Sequence, residues 1–218
     1  EVLRELPPKT ENVRRVELET EQRKLYLAAV VDAREKLRAA KPEDKMTVFA
    51  VLMRLREICC DPRLVADNWT GSSAKLDACL ELVTEAVAGG HRILLFSQFT
   101  SMLELLAKRL DEAGVSHFTL QGSTPKPVRA ELVRRFNSGE ADVFLISLRA
   151  GGTGLNLTAA DIVIHYDPWW NVAAQNQATD RAYRIGQRNP VQVYKLIAQD
   201  TIEEKIVELQ QAKQDLAE

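Results

Sequence analysis

No run of apolar residues in this 218-residue chain approaches the roughly 18 that a membrane-spanning helix needs, so no membrane partner is expected. Cysteine is scarce too. Cys59, Cys60 and Cys79 are too few and too unevenly spaced for a disulfide framework or a zinc site, which points to a reducing, cytoplasmic compartment. His91, His117 and His165 fall in or beside strand-like stretches without ligand spacing, and no metal site is expected. Neither sign of charge prevails. Against 31 Asp and Glu stand 29 Lys and Arg, a formal net charge of -2, so any contact with nucleic acid must rest on a local patch. The phosphate-binding sequence G-x-x-x-x-G-K-[ST] is missing, as is a G-x-G-x-x-G that opens a helix after a first strand. The one Asp-Glu pair that might imitate a magnesium-binding motif, Asp111-Glu112, stands at a helix end rather than after a strand. The chain opens at Glu1 without Met and is expected to be a fragment.

What is present is a substantial apolar share, 45%, enough for a sizeable core. Residues 1–70 are expected to form a helical segment: "TEQRKLYLAAVVDAREKLRAA" and "KMTVFAVLMRLREICC" have helical spacing, and strand alternation is confined to "NVRRVEL". The polar break "ADNWTGSSAK" separates it from residues 71–218. There the pattern alternates. Helices are predicted near 75–88, 101–113, 126–138, 171–183 and 202–217, between strands "RILLFS", "HFTLQ", "DVFLIS", "DIVIHYD" and "VQVYKLI". Strands apolar on both faces and joined by amphipathic helices indicate an α/β fold, a parallel sheet with helices on both faces. Ser101 with Glu104 and Thr201 with Glu204 have capping-box spacing, and Thr124-Pro125 looks like an N-cap before an N1 proline.

Ligands of such a sheet gather at the carboxyl ends of the strands. The loops there hold Gln98, Phe99 and Thr100, then Gly122, Ser123 and Thr124, then "LRAGGTGLNLTAAD", then "PWWN". The glycines of the third loop either make a tight turn or let backbone N–H groups approach a phosphate, with Arg149, Thr153 and Asn156 adding side-chain donors. Trp169 and Trp170 are read first as core residues; one is expected to be structural, while the other is free to pack on a sugar or base. Lys126, Arg129, Arg134 and Arg135 read as a solvated helix face, with a shallow phosphate-facing patch as the alternative.

The stretch "QATDRAYRIGQ" places Arg181 and Arg184 three residues apart, on one face if the helix continues. Five fixed donors on each guanidinium suit phosphate, and a carboxylate would also fit. Two solvated arginines on a surface helix are the plain alternative.

Taken in order, "ILLFSQFTSML", "LQGST", "SLRAGGTGLNLTAADIVIHYDPWWN" and "QATDRAYRIGQ" resemble the second RecA-like lobe of the Swi/Snf family of superfamily II helicase-related ATPases, with a bacterial member expected. "LPPKTE", "EQRKLY" and "LREICCDPRLV" resemble the segment that precedes it, so the likeness covers essentially the whole chain. One departure is visible: "DTIEEKI" has Asp200 where the family has Gly, in a turn.

The resemblance implies that ATP with Mg2+ binds between two lobes, the metal held by the N-terminal RecA-like lobe of the same polypeptide. It implies that Arg181 and Arg184 are catalytic, that Gln177 and Gly154 help bind ATP, and that the arginines lie open to solvent until the partner lobe closes. It also implies contacts from Ser97, Gln98, Thr124, Arg149, Gly152, Thr153 and Trp170 to the backbone of double-stranded DNA, with Asn156 and Asp161 ordering the loop. A protein–DNA complex would be a substrate, the protein would be cytoplasmic (with the nucleoid in a bacterium), and this fragment alone would not hydrolyse ATP. The alternatives are a RecA-like binding module that has lost catalysis, a dinucleotide enzyme and an RNA helicase. The arginine pair argues against the first, and a missing acidic residue after a second strand against the second. "DPWWN" and the Gly186-Gln187 ending argue against the third.

Overall fold

The computed structural model describes residues 5–150 and 154–218. Among them six strands form one sheet in the order β1-β6-β5-β2-β4-β3: β1 (Lys9–Val16), β2 (Ile93–Ser97), β3 (His117–Leu120), β4 (Val143–Ser147), β5 (Ile162–His165) and β6 (Val191–Ala198). β2 pairs in parallel with β4 and β5, β3 with β4, and β5 with β6. Val191 N donates to Pro8 O and Gln199 N to Val16 O, so β1 runs the same way beside β6. The sheet is all parallel. Every residue of β2, β4 and β5 is buried, as expected of strands covered on both faces.

The seven helices among the described residues are α1 (Thr20–Ala39), α2 (Lys45–Cys60), α3 (Ala74–Ala88), α4 (Thr100–Glu112), α5 (Lys126–Asn137), α6 (Val172–Thr179) and α7 (Ile202–Ala217). Most bounds follow the periodicity, but the N-terminal region is not helical throughout: "NVRRVEL" falls within and just beyond β1, an edge strand. Three helix starts also differ from the capping pattern. α4 begins at Thr100 after Phe99, and the hydroxyl that receives the Phe99 N–H is Ser97 Oγ at 3.1 Å, so Ser101 caps nothing. α5 starts at Lys126 as its predicted range has it, but Pro125 is its N-cap residue rather than N1, while Thr124 Oγ1 accepts from Gln121 N at 3.0 Å and closes the preceding turn. Thr201 does cap α7 by accepting from Glu203 N at 3.1 Å, but Glu204 reaches back to Asp200 N rather than to the cap residue.

Two compact units emerge. One comprises Glu1–Arg14 and Cys79–Leu196, the other Arg15–Ala78 and Ile197–Glu218. The first is built on an aromatic and aliphatic core that includes Leu94, Phe96, Phe136, Phe144, Ile146, Leu157 and Val163. The second is centred on Tyr26, Leu55, Ile58 and Cys59, with Ile202 packed against them. Within it the buried Lys75 and Glu203 form an ion pair, and Glu203 Oε1 also accepts from Ala198 N at 2.8 Å. Burial, followed by the Glu203 charge, pushes the Cys59 thiol well above its usual range and leaves it unreactive.

Candidate nucleotide and DNA site

Strand order reverses beside β2, whose neighbours are β4 on one side and β5 on the other, and a crevice for ligands lies at such a reversal. The loops after these strands are joined by short bonds. Tyr166 N donates to Phe96 O at 2.9 Å and Leu148 N to Ser97 O at 3.1 Å, which extends the ladder past the strand ends.

Ser97 does not face a ligand. Its side chain is fully buried, and its hydroxyl donates to Asp167 Oδ1 at 2.6 Å. This bond is a structural tie between β2 and the loop after β5. Asp167 had been read only as the end of a strand; its second oxygen accepts from Gln98 N at 3.3 Å. Gln98 is half-buried and gives its side-chain amide to Pro168 O at 2.9 Å, which ties the Gln98 loop to the "PWWN" loop. Trp169 packs against the core, and Trp170 beside it is likewise half-buried.

After β3, the Arg129 guanidinium donates to Thr124 O at 2.8 Å and Gly122 O at 2.9 Å and holds the loop that carries Thr124. Two of the four cations on the α5 face are paired with carboxylates. Arg134 pairs with Glu131 and Arg135 with Glu140, at 2.6 and 2.5 Å, leaving Lys126 as an exposed cation. After β4, Arg149 is exposed while Leu148 and Ala150 on either side are buried, so the guanidinium projects from an anchored backbone. Gly151, Gly152 and Thr153 lie outside the described residues. Gly154 has φ 94°, a conformation that L side chains rarely adopt, and open space surrounds the place of a Cβ. The exposed Asn156 offers its carbonyl to Asn137 Nδ2 at 2.8 Å. Asp161 sits at the opposite, amino edge, where it holds His91 Nδ1 at 2.8 Å and Arg92 N at 3.2 Å. It orders the start of β5 rather than the ligand edge.

The arginine stretch differs most from expectation. α6 ends at Thr179, so Arg181 and Arg184 lie in successive turns, not on one continuing helix face. Thr179 O receives the N–H groups of both Ala182 and Tyr183, at 3.1 Å each, which tightens the chain out of the helix. α6 itself is pinned at its base. His165 Nε2 meets Thr179 Oγ1 at 2.9 Å, and Gln175 Oε1 accepts from Trp169 N at 3.3 Å. Burial, with Lys195 adding to it, pushes His165 down to about 3, so this imidazole is neutral. Gln177 is exposed on the same helix.

Arg181 is half-buried with its guanidinium 5.6 Å from the centre of the Phe96 ring, not open to solvent as expected. Burial, and next the like charge of Arg129, lower its pKa from the usual guanidinium range. Arg184 Nη1 donates to Leu155 O at 3.2 Å and Leu157 N to Arg181 O at 2.9 Å, so the turn is fastened to the loop that follows Gly154. Gln187 had been noticed only as the end of the stretch. It is buried, and its amide nitrogen lies within hydrogen-bond reach of Thr158 O, Ala160 O and Ala182 O.

Such donors fit a polyanion but not a metal. Guanidinium groups and exposed amides gather at the carboxyl edge, whereas the carboxylate there, Asp167, is occupied by Ser97 and Gln98. Among the described residues no three His, Cys, Asp or Glu side chains cluster as a metal site would require. None of the described helices is long and apolar enough to cross a membrane.

Sheet order, strand-end loops and the fastened arginine turn together define a RecA-like α/β lobe. The chain belongs to the helicase conserved C-terminal domain family, whose model matches residues 74–186, and an SNF2-related domain model matches residues 1–64. It is similar to an uncharacterized ATP-dependent helicase of Mycoplasma genitalium, 39% identical over 99% of this chain and 21% of that protein. Among solved structures it is similar to the SWI2/SNF2 ATPase C-terminal domain of Sulfolobus solfataricus, with a TM-score of 0.78 and 29% identity over 92% of this chain and 84% of that one. The ATPase core of the same organism in complex with double-stranded DNA matches with a TM-score of 0.84 and 32% identity, over 99% of this chain and 46% of that one. The chain spans about a fifth of the length of the curated relatives it matches.

Proposed function

We propose that the chain is the second motor lobe of an ATP-dependent double-stranded DNA translocase that remodels protein–DNA complexes. Residues 71–218 form this lobe, and residues 1–70 lead into it from an N-terminal RecA-like lobe of the same polypeptide, which holds Mg2+ and the P-loop lysine. The whole protein is then an ATPase that works on DNA in the cytoplasm, with the nucleoid in a bacterium.

The observation that carries this function is the anchoring of the arginine turn: Arg184 on Leu155 O, and Arg181 through its carbonyl on Leu157 N and its guanidinium over Phe96. Both groups are thereby held near the strand ends where a ligand of this fold lies. Phosphoryl transfer spreads negative charge over the γ-phosphate oxygens, and a positioned arginine accelerates it by roughly 10³ to 10⁵. Gln177 and the backbone at Gly154 contribute to holding the nucleotide. On the DNA side, Gln98, Thr124, Arg149, Gly152, Thr153 and Trp170 contact one strand's sugar-phosphate backbone, while Ser97 acts through Asp167. Backbone contacts imply weak sequence preference and strong salt dependence.

The test is ATP hydrolysis by the full-length protein with and without duplex DNA. Arg184→Ala should lower stimulated turnover by about 10³-fold while a fluorescent ATP analogue still binds. Turnover at the wild-type rate in that variant would remove Arg184 from the site. The isolated chain should show no DNA-stimulated turnover, and measurable turnover would place a complete site within it.

A further inference from the structure

We infer that Gln187 is a positioning residue that makes the arginine turn and the loop 155–160 one body. Its side chain is 7% exposed. The amide nitrogen stands 3.2 Å from Thr158 O, 2.8 Å from Ala160 O and 2.9 Å from Ala182 O, so two hydrogens serve three carbonyls from both segments. The amide oxygen accepts from Asn189 N at 3.0 Å and fixes the chain on its way into β6. Two further bonds cross the same seam, Leu157 N to Arg181 O and Arg184 Nη1 to Leu155 O. Gly186, at φ 105°, turns the backbone so that Gln187 goes inward while Ile185 stays 84% exposed.

The chemistry of the seam selects glutamine. A glutamate would face three carbonyls without donors, an asparagine is one methylene too short, and a lysine or arginine has no acceptor for the Asn189 N–H. A buried carbonyl left without its donor is unfavourable, so loss of the amide loosens both segments at once. If the chain is the motor lobe proposed above, the seam has a mechanical meaning. The loop it fastens continues from Arg149, a group proposed to touch DNA, and the turn carries the two arginines proposed to touch ATP. A displacement of that loop by DNA is then transmitted to Arg181 and Arg184 through Gln187.

The test compares Gln187→Met with Arg92→Met in the full-length protein. Arg92 ties β2 to Phe136 O and Ala141 O at the amino edge of the sheet, away from the proposed machinery, and serves as a control for lost stability. Amide hydrogen exchange is read over 155–160 and 181–189, together with ATP-analogue binding and turnover with and without duplex DNA. In Gln187→Met, exchange in both segments should rise by about tenfold while β2 and β4 stay protected. DNA-stimulated kcat should fall by about tenfold, with analogue binding within about twofold of wild type. Arg92→Met should keep the ratio of stimulated to unstimulated turnover. Should the methionine variant not fold, Gln187→Glu keeps the shape and the acceptor for Asn189 while removing the donors. Unchanged exchange in the two segments, or equal loss of stimulation in the Arg92 control, overturns the role of Gln187 and leaves the motor function standing. A wild-type protein without DNA-stimulated turnover overturns the motor function, and the exchange measurement then still decides whether Gln187 joins the segments.

Discussion

Ser97 Oγ donates to Asp167 Oδ1 at 2.6 Å, and this side-chain bond helps join the end of β2 to the loop after β5 across 70 positions of sequence. Both side chains are buried. Ser97→Ala would take this donor from the carboxylate and should lower stability by about 1–3 kcal/mol. The check is urea unfolding, in which the midpoint falls at unchanged slope. An unaltered midpoint would mean that Asp167 is held by other donors.

His165 gives the fold a pH dependence of definite sign. The folded protein takes up this proton near about 3, the unfolded chain near 6.5. Because the folded pKa is depressed, the contribution is whole above about 6.5 and is lost as pH falls toward about 3, at up to about 1.4 kcal/mol per pH unit. His165→Gln should show a shallower loss of stability than wild type between about pH 7 and pH 4. Parallel curves would show that the imidazole titrates normally.

The two adjacent tryptophans should separate stability from binding. Trp169 is packed against the core, so Trp169→Ala should cost about 2–4 kcal/mol. Trp170→Ala should change stability by less than about 1 kcal/mol and weaken duplex DNA binding by the full-length protein. Equal thermal shifts in the two variants would contradict this division.

Arg149 is exposed between two buried neighbours. If it meets a phosphate, Arg149→Ala should weaken binding to all duplex sequences alike and reduce the slope of log K against log salt by about 1. An unchanged slope measured by fluorescence anisotropy would place Arg149 off the DNA.

Asp200 has φ 56°, the one non-glycine residue with positive φ among the described residues. Its N–H donates to Glu204 Oε2 at 3.1 Å, a bond that needs no side chain at position 200. Asp200→Gly should therefore be stable to within about 1 kcal/mol of wild type, whereas Asp200→Val should lose at least about 1 kcal/mol. Thermal unfolding of the pair checks the order, and a valine variant as stable as the glycine one would refute it.

The parallel sheet was legible because β2, β4 and β5 are short apolar runs between helices with a clear period. What periodicity missed was the end of α6. Arg181 and Ala182 after Thr179 are good helix formers, yet the chain leaves the helix there, with Thr179 O shared between Ala182 N and Tyr183 N and the Thr179 hydroxyl tied to His165. The candidate residues were found by their place in strand-end loops, which does not tell a group facing a ligand from one facing the protein. Ser97, named through the family resemblance alone, shows the same gap, since its partner Asp167 lies 70 residues away and is brought near only by strand register. Gln187 stayed hidden because its acceptors are backbone carbonyls, which carry no mark in a sequence. The grouping of α7 with α1 and α2 is likewise a product of packing between distant segments.

The resting position of Arg181 has a bearing on rate. A long, flexible side chain recruited from bulk water would have to lose rotamer freedom at the moment of reaction. Laid over Phe96 and half-enclosed, this guanidinium has surrendered much of that freedom during folding. If Arg181 meets a phosphate as proposed, its arrival is a short excursion of a preorganised group, and Phe96→Leu should slow ATP turnover by the full-length protein while a fluorescent ATP analogue binds with little change.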